Sequence, residues 1–314
     1  MDDRGARTTR RSLLALGAGT ALAAGAAGSA VAAGSRLPGR AEAAGSGLAE
    51  AGAGLRKLER EHGVRLGVFA HHTVTGHTLR HRADERFPMC SAFKPLAVAA
   101  VLRDLDHDGT FLARRIRYTE ADTEKAGYAP LTGLAYNLAD GMTVAALCSA
   151  AIAYSDNAAA NLLMRELGGP AAVTRFCRST GDEATRLDRW EPELNSAEPD
   201  RVTDTTTPRA IGRTYQRLVL GKALDPADRE RLTGWLLDNT TSGKRLRAGL
   251  PAGWILADKT GTGAYGTAHD VGVAWSPGGS PVVLSVLTTH RDAGAPADEA
   301  LIARVAALAA GALG

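Results

Sequence analysis

The feature that most constrains this chain is where its strand-like segments fall. Apolar and β-branched runs cover residues 64–70 and 77–81 near one end and 254–259, 269–275 and 282–289 near the other. From residue 91 to about residue 239 the apolar spacing is helical instead, best over 143–154, 158–167, 170–179, 208–220 and 226–237. Residues 48–62 and 297–313 read as helices outside the two strand groups. Strands this far apart bury their apolar faces most simply in one shared sheet, which makes the helical stretch an insertion. The expected fold class is α/β (α+β): an antiparallel sheet formed from both ends of the chain and flanked by helices, plus an inserted all-helical domain. The expected boundaries are 48–83 and 240–314 for the α/β domain and 84–239 for the helical domain.

Ahead of these lies a targeting pattern. Arg10-Arg11 precedes an uncharged run over residues 13–33, which contains the small-residue cleavage pattern Ala30-Val31-Ala32. Twin arginines before such a run predict a signal peptide over 1–33, export by the twin-arginine route and a secreted protein. The run is mostly Ala and Gly, so its insertion into a bilayer is marginal, and no stable membrane association is expected after cleavage. Residues 34–47, rich in Gly and Ala, read as a flexible lead-in. With 37 basic and 34 acidic residues there is no basic block, and nucleic acid is excluded as an expected partner. A monomer is expected. The chain has 3 cysteines, Cys90, Cys148 and Cys177, so at least one is unpaired within a monomer. A twin-arginine passenger folds in a reducing cytosol, and three free, mostly buried thiols are expected.

The first chemistry-bearing pair is Ser91 and Lys94. Residues 95–106 follow helical spacing through Val98, Val101, Leu102 and Leu105. With Ser91 in the first turn, Lys94 lies three residues on, over the same face. A desolvated lysine can take a serine's proton, and a helix N-terminus favours a developing oxyanion. Alone the pair decides nothing, because S-x-x-K arises by chance in roughly half of chains this long. Three further motifs follow in order. Ser155-Asp156-Asn157, between two helical segments, offers a hydroxyl for proton relay and an amide, although it is equally suited to capping a helix. Glu191 and Asn195 sit in a long aperiodic stretch over 186–204, where a carboxylate and an amide could hold one water. Lys259-Thr260-Gly261-Thr262-Gly263, at a strand end, supplies a cation, hydroxyls and backbone N–H groups.

Four such motifs in this order resemble the class A serine β-lactamases, whose signature is S-x-x-K, S-D-N and K-T-G. The resemblance runs from about residue 48 to the C-terminus. It also takes in Arg186-Leu187-Asp188-Arg189, Asp204-Thr205-Thr206-Thr207-Pro208 and Leu250-Pro251-Ala252-Gly253-Trp254. It implies a serine β-lactamase/DD-peptidase-like fold, β-lactam substrates, no cofactor and no metal. It implies that Ser91 attacks the lactam carbonyl, that Lys94 and Glu191 share its activation, and that Glu191 with Asn195 holds the hydrolytic water. Ser155 would pass a proton to the lactam nitrogen and Asn157 would bind the side-chain amide. The backbone N–H groups of Ser91 and Thr262 would form the oxyanion hole. Lys259 and Thr260, next to Gly261, would grip the substrate carboxylate, and Tyr128 would line the mouth. Arg189 and Asp204 would close the loop, and Glu191–Pro192 is a candidate cis peptide.

Two departures qualify the resemblance. Many members carry a carboxylate-binding arginine on the strand after K-T-G, where this chain has Ala268; Arg245 matches an alternative position used by some relatives. Cys148 and Cys90 match half-cystines of some members, but their partner positions are Val98 and Gly263, so neither bridge is expected and no carbapenem activity is inferred. The implied function is hydrolysis of penicillins and cephalosporins, conferring resistance. The alternative is a penicillin-binding sensor or DD-peptidase-like protein that acylates without rapid turnover. Glu191 favours the hydrolase.

Overall fold

The structure, a computed structural model, describes residues 39–314, with side chains from residue 45 onward. The expected signal segment at 1–33 lies outside the described residues. The chain enters through helix α1 (Gly39–His62) and the hairpin of β1 (Arg65–His72) and β2 (Thr78–His81). Strand β3 (Phe87–Pro88) leads to a 3-10 turn, Cys90–Phe93, that passes directly into α2 (Lys94–Leu105). The helical middle holds α3 (Thr110–Ala113), β4 (Arg115–Ile116), α4 (Glu120–Ala126), α5 (Ala135–Asp140), β5 (Met142–Thr143), α6 (Val144–Ala153), α7 (Asn157–Glu166) and α8 (Pro170–Ser179). A long loop with a 3-10 turn at Glu193–Ser196 then reaches β6 (Thr205–Thr206), α9 (Pro208–Val219) and α10 (Pro226–Leu237). The short α11 (Leu246–Gly249), strands β7 (Ile255–Thr262), β8 (Ala268–Trp275) and β9 (Pro281–Thr289), and α12 (Glu299–Leu313) follow.

The two ends of the chain do share a sheet. Its order is β2-β1-β9-β8-β7, every pairing is antiparallel, and β1 pairs with β9 from Arg65↔Thr289 to His72↔Val282. The long strands read as continuous apolar runs because both faces are covered. On one face Leu66, Val68, Leu284 and Val286 pack with Leu55 of α1 and Val305 of α12. On the other Phe69, Val271 and Val283 pack with Ile211 and Tyr215 of α9 and with the helical middle. Residues 41–314 form one compact unit. Helix α9 lies within the stretch expected to be a separate helical domain, yet it packs on β1, β8 and β9.

Three local expectations change. The flexible lead-in expected over 34–47 is helical from Gly39, in keeping with an alanine-rich segment, since alanine is the best helix former. Ser91 lies in the 3-10 turn ahead of α2 rather than in its first turn. Pro95 has no N–H with which to close an α-helical bond onto the Ser91 carbonyl, and Lys94 N–H closes the tighter one instead. Helix α2, expected to have a single apolar face, is buried on all sides from Lys94 to Leu102, with α6, α7, α8 and α10 around it. The short α4 carries a capping box, Thr119 with Asp122, which went unread in the sequence.

Candidate active site

The turn carrying Ser91 is fixed from three sides. Met89 N donates to Asp204 O at 2.8 Å, and Tyr215 OH donates to Ala92 O at 2.8 Å. The edge strand β7 and the residue after it close the third side, where only glycine fits at 261 and 263. A Cβ at Gly263 would come within 2.7 Å of both Cys90 Sγ and the Asn195 carbonyl oxygen. One at Gly261 would press on Met89 O at 3.2 Å and Ala92 N at 3.3 Å. Cys90 itself takes a left-handed φ of 45°.

Ser91, Lys94, Ser155, Asn157, Glu191 and Lys259 converge on one buried point. Lys94 Nζ is 2.6 Å from Asn157 Oδ1, 2.7 Å from Ser155 O, 3.1 Å from Glu191 Oε1 and 3.3 Å from Ser155 Oγ. The Ser91 hydroxyl donates to Glu191 Oε1 at 3.5 Å. Serine and lysine therefore meet through the same carboxylate oxygen, a link that their three-residue spacing did not reveal. Ser155, at φ 58°, places its hydroxyl between two ammonium groups, because Lys259 Nζ donates to it at 3.0 Å. Burial pulls Lys94 below the ordinary lysine pKa, opposed by the negative charge of Glu191. Lys259 is held well below it by burial and by the charge of Lys94. Such a cluster can abstract, relay and return protons in a buried site. Cys90 is not part of it, since burial raises its thiol pKa far beyond the reactive range. All three cysteines are free and buried, as expected.

The loop holds Glu191 from both sides of its backbone. Asn161, one turn beyond Asn157 on α7, donates from Nδ2 to Glu191 O at 2.9 Å and accepts from Glu191 N at 3.0 Å. Sequence reasoning missed Asn161. Its signal was the i, i+4 spacing from Asn157, which puts both amides on one helix face. The Asn195 side chain donates to Glu191 Oε2, and the Glu191–Pro192 peptide is cis. At the neck, Asp204 Oδ2 accepts from Arg189 Nε at 2.5 Å, while Oδ1 takes the N–H groups of Asp188 and Arg189 at 2.7 and 2.9 Å. Asp204 is buried and Arg189 only a quarter exposed. Asp204→Asn would turn an amide N–H toward the guanidinium, at a cost of about 3 kcal/mol. We expect a matching loss in urea-monitored stability and a deacylation step that slows before acylation does. Unchanged kinetics would count against the loop's role.

At the other end of the site, Asp156 caps α7 and ties down the facing loop. It accepts from Ala159 N, Leu131 N and Thr132 N at 2.9, 3.0 and 2.9 Å. That loop presents Tyr128, 56 % exposed, at the mouth, and Tyr128 O accepts from Asn157 N at 2.8 Å. Asn157 Nδ2 donates to Ala126 O at 3.1 Å, leaving one amide hydrogen for a ligand. Ala268 is paired with Thr262 across β7 and β8. Arg245 reaches the same place from α11: it donates to Thr262 Oγ1, Gly261 O and His269 O at 2.8 Å each. Among the described residues, no group of His, Cys, Asp and Glu is placed to hold a metal ion, and no helix is long and apolar enough to cross a membrane.

Comparison with known proteins identifies the family. The model of the beta-lactamase enzyme family matches residues 51–313. The chain is 62% identical to the beta-lactamase of Streptomyces lavendulae over 100% of both chains. It is 52% identical to a solved variant of a class A beta-lactamase described as the last common ancestor of Gram-negative bacteria, covering 82% of this chain and 96% of that one with a TM-score of 0.77. The chain belongs to the class A serine β-lactamases. It also superposes on the beta-lactamase from Streptomyces albus G with a TM-score of 0.84 and 63% identity, covering 84% of this chain and all of that one. As a class A β-lactamase it is a hydrolase acting on β-lactams, and the antiparallel sheet flanked by helices is the fold of these relatives.

Proposed function

We propose that the chain hydrolyses the β-lactam ring of penicillins and cephalosporins through an acyl-enzyme on Ser91, and so confers resistance to them. The observation that carries this reading is Glu191: a fully buried carboxylate fixed by Asn161, beside the Asn195 amide, and bonded to both Ser91 and Lys94. Ser91 Oγ attacks the lactam carbonyl carbon as its proton passes to the Glu191–Lys94 pair. The oxyanion forms against the N–H groups of Ser91 and Thr262; removing one such donor typically costs about 10²- to 10³-fold in rate. The C–N bond then breaks, and Ser155 Oγ delivers a proton to the departing nitrogen, resupplied from the ammonium groups of Lys94 and Lys259. Glu191 with Asn195 next takes a proton from water, the hydroxide attacks the ester, and Ser91 leaves with its proton restored. Lys259, Thr260 and Thr262 hold the substrate carboxylate, while Asn157 and Tyr128 bound the side chain.

In this reading Arg245 replaces the missing strand arginine by acting through the Thr262 hydroxyl. Arg245→Ala is expected to lower kcat/KM for a penicillin about tenfold or more, chiefly through KM, as for a lost hydrogen bond to a charged group. Unchanged KM and kcat would contradict it. The proposal extends to the chain's two parts, 48–83 with 240–314 and 84–239, whose seam would be the active site. It extends also to export by the twin-arginine route as a monomer, supported by Arg10-Arg11 and the uncharged run that follows. A sensor or DD-peptidase-like protein needs Ser91, Lys94, Ser155 and Lys259 but has no use for the Glu191–Asn195 pair. The deciding experiment is multiple turnover of a chromogenic cephalosporin by the purified protein. Sustained hydrolysis supports the hydrolase, and a single stoichiometric burst supports the sensor.

A further inference from the structure

Two hydroxyls on the edge of β7 are wired in opposite senses. Thr260 and Thr262 are two residues apart on one strand and so share a face. Thr262 Oγ1 accepts from Arg245 Nη2 at 2.8 Å, which leaves its own proton available to a ligand. Thr260 Oγ1 lies 2.5 Å from Thr241 Oγ1, and distance alone does not say which donates. The surroundings do. Thr241 Oγ1 is 2.7 Å from Asn239 Oδ1, and a carbonyl oxygen only accepts, so the Thr241 proton goes there. Asn239 is held in that orientation because its Nδ2 donates to the Asp258 carboxylate at 2.9 Å, and Asp258 is in turn paired with Arg247 at 3.0 Å. With its one proton committed, Thr241 can only accept from Thr260. This assignment gives every link one proton.

From this chain we propose that Thr241 is a positioning residue for the substrate carboxylate, setting KM by holding the Thr260 hydroxyl proton away from the site. The inference rests on the hydrolase reading, in which Thr260 grips that carboxylate. At rest Thr260 presents lone pairs to the ligand, and an anionic acceptor binds only once the Thr260–Thr241 bond has opened. Thr241 is partly exposed, so its replacement leaves the core intact. Neither the resemblance nor the four motifs drew attention to Thr241 or Asn239.

The test is steady-state kinetics on a penicillin with wild type, Thr241→Val and Thr241→Ser. Valine keeps the shape and removes the acceptor, freeing the Thr260 proton. KM is expected to fall about fivefold, the worth of one ordinary hydrogen bond, with kcat within about twofold. Serine restores the hydroxyl and returns KM toward the wild-type value. An unchanged or raised KM in Thr241→Val, or an equal fall in Thr241→Ser, overturns the proposal while leaving the hydrolase reading intact. Absence of turnover by the wild type overturns both.

Discussion

Glu191→Ala is expected to lower kcat for a penicillin by about 10²- to 10⁴-fold, the usual contribution of a positioned general base, with acyl-enzyme accumulating. The reason lies in what remains after the carboxylate is gone. Deacylation needs a base beside a held water, the role proposed for Glu191, whose carboxylate is bonded to Asn195. Acylation loses less, because Lys94 keeps its bonds to Ser155 and Asn157 and stays close to the start of its own helix. Removing the carboxylate also removes the charge that raises the Lys94 pKa against burial, so that pKa falls further. A lysine must be unprotonated to act as a base. In Glu191→Gln the limb of the acylation rate that rises with pH therefore lies at lower pH than an intact Glu191–Lys94 pair would set for Lys94. Pre-steady-state acylation across a pH series measures this directly, and a limb moved to higher pH would contradict the sign.

Lys94→Ala is expected to fail at the other step. Acylation slows by about 10²- to 10⁴-fold, and no acyl-enzyme builds up. The Lys94 ammonium is the shared partner of Glu191, Ser155 and Asn157, all within 3.3 Å. Without it Glu191 becomes an unpaired, fully buried carboxylate, and loss of one partner of a buried pair typically costs about 3 to 5 kcal/mol of stability. Stopped-flow acylation and thermal unfolding on the same preparation separate the two effects. Acylation at the wild-type rate would remove Lys94 from the mechanism.

The fold and the cluster around Ser91 were legible for a shared reason: each rests on a pattern that survives without coordinates. Five apolar runs at the two ends left one economical sheet, and β1 indeed pairs with β9. Ser91, Ser155, Glu191 and Lys259 were found because each sits in a short motif whose chemistry is local. What could not be read depends on the path of the chain between motifs. The Ser91–Glu191 bond joins residues 100 apart and depends on contacts outside either motif, among them Met89 N to Asp204 O at the loop's neck and the two Asn161 bonds to the Glu191 backbone. The 3-10 turn at Ser91 follows from the missing N–H of Pro95, a constraint that the helical spacing over 95–106 does not show. Asn161, Asn239 and Thr241 carry no motif; their roles come from the atoms they face. Asn161 alone left a trace, in its spacing from Asn157.

Intact-protein mass spectrometry separates the proposed roles of Ser91 and Glu191. Glu191→Ala is mixed with excess penicillin and quenched after seconds and after an hour. A stable adduct of one penicillin per protein is expected at both times, mapping to the peptide that contains Ser91, while the wild type shows none after an hour and has consumed the drug. An unmodified Glu191→Ala protein, or an adduct that disappears as fast as in the wild type, would contradict those roles.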